Sequence, residues 1–152
     1  MKQRCMILLA LGLAASANAS AQPLPKPELQ LRALELYSAS GSFVRYSYDV
    51  TNKDAFPAEM FAPASDLPPC GRDANSSRSW VDFYAAGGKR LYGFCALGSP
   101  SELGKIWFAL REGTAPPAQV YIEITDRKTN TIYKSNLAKT SFNPCPPARI
   151  KR

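Results

Sequence analysis

A regular alternation of apolar and polar residues organises the middle of the chain. Two segments show it most clearly, Val44–Val50 and Val120–Thr125, in which every second residue is apolar. A repeat of two residues is typical of a strand with one buried and one solvent-facing side. Further strands are predicted within Leu29–Leu36, Trp80–Tyr84, Leu91–Ala96, Ile106–Leu110 and Thr131–Leu137.

Local features interrupt or join these strands. In the first strand the apolar parity changes between Ala33 and Leu34, which predicts a β-bulge or a switch between sheets near Ala33. Gly87-Gly88 lies between two strands and predicts a hairpin turn, because such turns need positive φ. A helical turn is expected at Ser99–Leu103, where a proline suits the first helical position.

Seven or eight short strands without a convincing helical repeat predict an all-β domain. The expected architecture is an antiparallel immunoglobulin-like β-sandwich, and a small barrel is the alternative. The hydrophobic fraction of 45% is that of a folded globular chain rather than a disordered one.

The first residues have the three-part layout of a secretory signal peptide. A basic start precedes an apolar run that is too short to span a bilayer, and Ala17-Asn18-Ala19 offers a cleavage pattern. We expect a signal peptide at 1–19, a Pro-rich extended leader at 20–27, the β-sandwich domain at 28–138 and a Pro-rich basic tail at 139–152. The mature protein is expected in the periplasm or the medium, without a membrane span.

The net charge of +7 is distributed unevenly along the chain. Lys139, Arg149, Lys151 and Arg152 lie in the C-terminal tail, which contains no acidic residue. The body of the domain is therefore close to neutral. Because nucleic-acid-binding proteins cluster lysine and arginine on a folded surface, a nucleic-acid partner is not expected.

Cysteine usage fits an oxidising compartment. Cys5 lies in the predicted signal peptide, which leaves Cys70, Cys95 and Cys145 for one bridge and one remaining thiol. Cys70 and Cys95 flank the middle of the domain and are the preferred pair. Cys145 lies in a Pro-rich segment, where it is a free thiol, an intermolecular link or a competitor for one of the other two.

The residue types exclude several kinds of catalysis. The chain has no histidine, which removes Ser-His-Asp and Cys-His catalysis and every histidine metal site. Candidate carboxylates form no catalytic motif and are interpreted as turn or solvent-facing residues: Asp49, Asp54, Asp66, Asp73 and Asp82. We therefore expect no enzyme activity, no metal site and no cofactor.

The connection from Asn52 to Ser79 is unusually long for a compact domain. A short strand is expected around Ala58–Ala62, and a polar run follows it. Because loops on rigid scaffolds often bind ligands, we interpret this connection as a candidate binding loop. Its candidate ligand-binding residues are Phe56, Met60, Phe61, Arg72, Asn75 and Arg78.

The aromatic residues are available either to the core or to a ligand. In a sandwich of this size they more often fill the core, and we expect Trp80 and Trp107 there. Arg78, close to Trp80, is expected to pair with an acidic residue or to approach an aromatic face.

Five short motifs stand out along the domain. They are Leu67–Gly71, Ser77–Val81, Leu91–Cys95, Ile106–Phe108 and Tyr121–Ile124 with Asp126-Arg127. Together they resemble a group of small exported bacterial proteins without an established function. The resemblance covers roughly 42–136; it implies a sandwich domain and a Cys70–Cys95 pairing, and it implies no activity, ligand or catalytic residue.

These observations favour an exported, non-catalytic binding or accessory module. Its partner would be a protein or an envelope polymer that meets the connection between Phe56 and Arg78. The alternative is a secreted proteinaceous inhibitor of an envelope hydrolase, because disulfide-stiffened loops lose little entropy on docking.

Overall fold

The fold was described from a computed structural model that covers residues 25–38, 42–70, 77–95 and 98–142. The predicted signal peptide, Arg72, Asn75 and Cys145 lie outside the described residues, as do most of the predicted leader and tail. The strands of the described part are β1 Leu29–Ser38, β2 Ser42–Val50, β3 Ser79–Ala85, β4 Arg90–Cys95, β5 Ile106–Arg111, β6 Gln119–Asp126, β7 Thr131–Lys134 and β8 Ala138–Lys139.

The first sheet contains three antiparallel strands in the order β1-β2-β5. Tyr46 of β2 lies opposite Phe108 of β5, and both side chains are buried, which identifies the inward side of this sheet. The bulge predicted near Ala33 is confirmed, because the register of β1 against β2 shifts between Leu31 and Ala33. Arg32 is the extra residue.

The second sheet is also antiparallel, with the order β4-β3-β6-β7, and β8 pairs with β6 as well. On its inward side, Val81 and Phe83 of β3 lie opposite Ile124 and Ile122 of β6, and all four side chains are fully buried. The predicted hairpin between β3 and β4 is confirmed, with Gly88 at a φ of +85° in its turn.

The hydrophobic core lies between the two sheets. The ring of Phe83 in the second sheet lies 5.6 Å from that of Tyr48 and 5.3 Å from that of Phe108 in the first, measured between centroids. Burying one side chain of this size stabilises the fold by roughly 1.5–3 kcal/mol. Two antiparallel sheets of three and five strands, with almost no helix in the described residues, are consistent with the predicted β-sandwich.

The long connection after β2 differs from its prediction. The prediction of a strand around Ala58–Ala62 is wrong, because Ala58–Met60 forms a short 3-10 helix. Phe56, Met60 and Phe61 are only 3%, 2% and 1% exposed, and they belong to the core cluster. The connection therefore contributes these apolar side chains to the core, where their burial stabilises the fold, rather than to an accessible surface.

The helical turn expected at Ser99–Leu103 is present as a 3-10 helix, Pro100–Lys105. Ser99 precedes it but makes no capping hydrogen bond through its side chain. Cys70 and Cys95 form a disulfide bond with a Cα–Cα distance of 6.1 Å, which confirms the predicted pairing. Among the described residues, no helix is both long and apolar enough to cross a membrane.

Candidate functional site

Arg78, one of the predicted ligand-binding residues, is committed to a structural ion pair. Its Nε donates to Asp126 Oδ1 at 2.8 Å and its Nη2 donates to Oδ2 at 2.6 Å, the bidentate geometry of a strong pair. Asp126 is 3% exposed and also accepts from the backbone N–H of Lys128 and the hydroxyl of Thr129. These contacts, that with Arg78 foremost, lower the pKa of Asp126 to about 2.

The next residue, Arg127, fastens the far end of the long connection to the sheet. Its Nη1 donates to the carbonyl of Ser77 at 2.8 Å and its Nη2 donates to the carbonyl of Pro68 at 2.7 Å. Arg127 thus joins the end of β6 to the connection at two positions, Pro68 and Ser77. We call the ion pair between Arg78 and Asp126 the clamp. Of the candidate ligand-binding residues that the structure describes, three are in the core and the fourth, Arg78, belongs to the clamp.

Neither tryptophan belongs to the core cluster, in contrast to the expectation from the sequence. Trp80 precedes Val81 on β3 and Trp107 lies between Ile106 and Phe108 on β5, and these aliphatic and aromatic neighbours are buried. Because side chains alternate along a strand, both tryptophans point away from the space between the sheets. Each of them is half-buried.

The side of the second sheet that carries Trp80 is covered by paired charges. Arg90 donates through Nε to Asp82 Oδ1 at 2.7 Å, and its guanidinium carbon lies 5.9 Å from the Trp80 ring centroid. Gly93 lies opposite Asp82, and a side chain at this position would collide with the Arg90 guanidinium and the Asp82 carboxylate. The glycine of the Leu91–Cys95 motif therefore makes room for an ion pair.

The two sheets part at one side of the molecule and leave an open cleft of about 390 Å³. It lies between β4 and β5, which are edge strands of the two sheets within the described residues. We call this feature the aromatic cleft and define it by Tyr92, Phe94, Glu102, Lys105, Ile106 and Trp107.

The aromatic side chains of the cleft reach it from both sheets. Tyr92 lies opposite Phe83, so it points to the inward side of the second sheet, yet it is 44% exposed because β4 is an edge strand. Its ring is nearly parallel to that of Trp107, at 14°, with centroids 6.0 Å apart. Phe94 continues the contact, with its centroid 6.0 Å from that of Tyr92.

A cation and a further ring extend this aromatic surface across the first sheet. The Tyr37 ring lies 6.2 Å from that of Trp107, and the Arg45 guanidinium lies 4.4 Å from the Tyr37 centroid and 4.9 Å from that of Trp107. Arg45 Nε is buried without a hydrogen-bond partner in the described structure, and Glu35 is 3.7 Å from Nη1. These cation–π contacts hold Trp107 in place beside the cleft.

The two charged residues of the cleft are not equivalent. Glu102 Oε1 accepts a hydrogen bond from the backbone N–H of Gly98 at 3.1 Å, so part of its charge is engaged by the loop. Lys105 is exposed and forms no ion pair within the described part of the chain. The cleft therefore offers a ligand flat apolar surfaces and one available positive charge.

Glu102 is the one carboxylate among the residues that define the cleft, whereas hydrolysis by paired carboxylates requires two. In the described ranges, no group of three or more histidine, cysteine, aspartate or glutamate residues is placed to hold a metal ion.

The chain matches no protein-family model, no curated protein and no solved structure. The resemblance to small exported bacterial proteins therefore stays a prediction.

The signal that could have identified the cleft is the position of Trp107 in its strand. Ile106, Phe108 and Leu110 share one parity, and Trp107 has the other, which places it on the side facing away from the core. The tendency of aromatic residues to be buried concealed this signal. The edge position of β4, which exposes Tyr92, is a property of the sheet order and has no counterpart in the local sequence.

Proposed function

We propose that this protein is an exported, non-catalytic binding module whose ligand occupies the aromatic cleft. The observation that carries the proposal is the stacking of Tyr92 and Trp107 outside the core, on the wall of an open cleft. Single exposed apolar residues are common on protein surfaces and need no explanation. Several half-exposed aromatic rings that converge on one concavity are a feature of binding sites.

The size and rigidity of the cleft support this function. Its volume of about 390 Å³ falls in the range of ligand pockets. The disulfide bond fixes Cys95 at the end of β4, next to Phe94, and the Arg45 contacts fix Trp107 on β5. A rigid site loses little conformational entropy when a ligand binds, which favours affinity.

The location and the finer fold belong to the same proposal. A disulfide bond that closes a small domain supports residence in an oxidising compartment, in the periplasm or outside the cell. Two antiparallel sheets of short strands support an immunoglobulin-like sandwich, the arrangement in which loops and edges commonly bind partners.

The test is capture from a cell-envelope extract of the native host by the immobilised mature chain. Trp107→Ala and Tyr92→Ala remove cleft surface, and Ile132→Ala is the matched control because Ile132 is exposed on β7, outside the cleft. We expect both cleft variants to lose at least ten-fold of the captured material, and the control to stay within two-fold of wild type. Equal capture by wild type and the cleft variants, at unchanged thermal midpoints, would show that the cleft is not the binding site.

A further inference from the structure

The two sheets of the sandwich do not cover each other completely. Inward side chains of β3, such as Val81 and Phe83, are fully buried because the first sheet lies over them. Tyr92 of β4 also points inward, opposite Phe83, but is 44% exposed. The first sheet ends at β5 within the described residues, so no strand of the described chain covers this part of β4. The cleft thus lies beside the free edge of β5, to which one more strand of the first sheet would be added.

The backbone of β5 has hydrogen-bonding groups directed into this space. Glu112 N–H donates to the carbonyl of Ser42 at 2.9 Å, and the register continues without a shift through the pairing of β5 with β2. In an antiparallel pair, alternate residues exchange both hydrogen bonds with the neighbouring strand, and the residues between them point the other way. The N–H and C=O groups of Trp107 and Ala109 and the N–H group of Arg111 therefore face the free edge, whereas the Arg111 carbonyl accepts from the N–H of Thr114 at 3.0 Å.

This edge lacks the features that protect other strand edges in the molecule. β1 carries a bulge at Arg32, and β7 has only four residues. β5 offers six residues in regular register to β2. Short or bulged edge strands discourage pairing with another chain, whereas a regular edge is a template for it.

We infer that the aromatic cleft receives an extended segment of a partner polypeptide, which adds to the free edge of β5 as the fourth strand of the first sheet. The inference rests on the proposed function of the same cleft and names its ligand class. The added strand hydrogen-bonds with the edge N–H and C=O groups of Trp107 and Ala109 and with the N–H group of Arg111. Its alternate side chains enter the cleft against Tyr92 and Phe94.

The same geometry specifies the chemistry of the segment. About six residues match the length of β5, or roughly 20 Å of extended chain. Apolar residues at every second position fill the cleft, and proline is absent where the segment must donate a hydrogen bond. One end of the segment lies near Lys105, which is exposed and forms no ion pair within the described residues, because the nearby Glu102 accepts from the N–H of Gly98 instead. A carboxylate at this end of the segment therefore pairs with Lys105.

A polypeptide fits these observations better than a glycan does. A sugar ring can stack on Trp107 and Tyr92, but it has no repeating N–H and C=O groups to match those of β5. An extended peptide satisfies the apolar cleft and the free edge together, which is the reason for strand addition in peptide recognition.

The test uses a random twelve-residue peptide library displayed on phage, selected against the full mature chain. We expect the enriched peptides to alternate apolar and polar residues and to carry an acidic residue towards one end. We also expect the alternating stretch to contain no proline. Ala109→Pro removes one edge N–H without touching the hydrogen bonds to β2, and Ala109→Val, which keeps the N–H, is the matched control. Affinity of a synthetic enriched peptide should fall at least ten-fold in Ala109→Pro and less than three-fold in Ala109→Val.

Amide hydrogen exchange of the wild type gives a second measurement that does not depend on any variant folding. Saturation with the enriched peptide should slow exchange at Trp107, Ala109 and Arg111 by at least ten-fold. Unchanged exchange there, equal binding by Ala109→Pro and Ala109→Val, or a library that yields no edge-dependent peptide would overturn strand addition. Strand addition would also be overturned if chitohexaose or cellohexaose, but not the peptide, shifted the tryptophan fluorescence of the wild type and left that of Trp107→Ala unchanged. Self-association of the wild type that Ala109→Pro abolishes would overturn it as well.

The two proposals fail in different ways. Loss of envelope capture in Trp107→Ala with normal capture in Ala109→Pro keeps the cleft as a binding site and rejects strand addition. Normal capture in Trp107→Ala and Tyr92→Ala rejects the cleft itself.

Discussion

Two aromatic regions of this molecule differ in burial, and in each the burial is the opposite of what its local sequence indicates. The connection after β2 contains Phe56 and Phe61 in an irregular, Pro-rich segment, yet both side chains are fully enclosed in the core. Tyr92 and Trp107 lie in regular strands with core-like composition, yet they form the wall of an open cleft. Local regularity therefore does not determine burial here. For Tyr92 the position of its strand does, because the edge strand β4 leaves this inward side chain uncovered, whereas Trp107 is on the outward side of β5.

Phe61→Ala should give the largest effect and tests the first half of this comparison. Phe61 is 1% exposed, and removing a buried phenylalanine costs about 4 kcal/mol through lost burial and the cavity that remains. Urea unfolding followed by circular dichroism measures the loss. A loss below about 1 kcal/mol would contradict the burial of Phe61 and would make the connection a candidate binding loop again.

Loss of the disulfide bond should have the next largest effect on stability. It tests how much the bond at the end of β4, beside the cleft, stabilises the fold. Cys70 and Cys95 are 25 residues apart, and closing such a loop stabilises a fold by about 3.5 kcal/mol on the chain-entropy model. The Cys70→Ser/Cys95→Ser variant should therefore unfold at a lower temperature than the wild type. Reduced wild type is the control and should unfold at the same temperature as the variant; a difference between the two would assign part of the loss to the substitutions.

The Arg78–Asp126 clamp should make stability depend on pH below 5. The pKa of Asp126 is lowered to about 2 in the folded protein, so its ionised form contributes stability that is complete above the unfolded pKa near 4. This contribution, about 2 kcal/mol, should be lost as pH falls from about 5 to about 2. Asp126→Asn should lack this dependence when the free energy of unfolding is measured across that range.

The control for the clamp is Asp66→Asn. Asp66 forms an exposed ion pair with Lys128, and such pairs contribute little to stability. This variant should keep the acid dependence of the wild type. An equal loss of that dependence in both variants would contradict a specific role for Asp126.

Tyr92→Ala should have the smallest effect on stability and sharpens the second half of the comparison. Because its side chain is 44% exposed, truncation should cost about 1 kcal/mol, several-fold less than Phe61→Ala. Urea unfolding of the two variants side by side measures the contrast. Equal losses would mean that Tyr92 is a core residue, which would weaken the proposed binding role of the cleft.

Much of the secondary structure could be predicted because it depends on local patterns. The period of two predicts β2 and β6, the parity change at Ala33 predicts the bulge of β1, and Gly87-Gly88 predicts the hairpin. The strand expected at Ala58–Ala62 failed because apolar residues without alternation can be buried by any conformation that reaches the core, and a 3-10 turn does so here.

The candidate site was less predictable because it depends on neighbours distant in sequence. The clamp joins Arg78 to Asp126 across the pairing of β3 with β6, and the cleft joins Tyr92 to Trp107 across two sheets. Neither pair is close in the chain. A single sequence shows which residues are aromatic or charged, but it does not show which of them the sheets bring together.

The sequence by itself determined the alternating strands, such as β2 and β6, with their inward and outward sides, and the hairpin at Gly87-Gly88, because alternation and turn residues act over a few positions. Only the tertiary structure decided which strands lie at the edges, and therefore that the inward side chain of Tyr92 remains exposed. The physical reason is that burial depends on the layer that covers a residue. Within the described chain the first sheet ends at β5, so no strand of that sheet covers Tyr92 on β4.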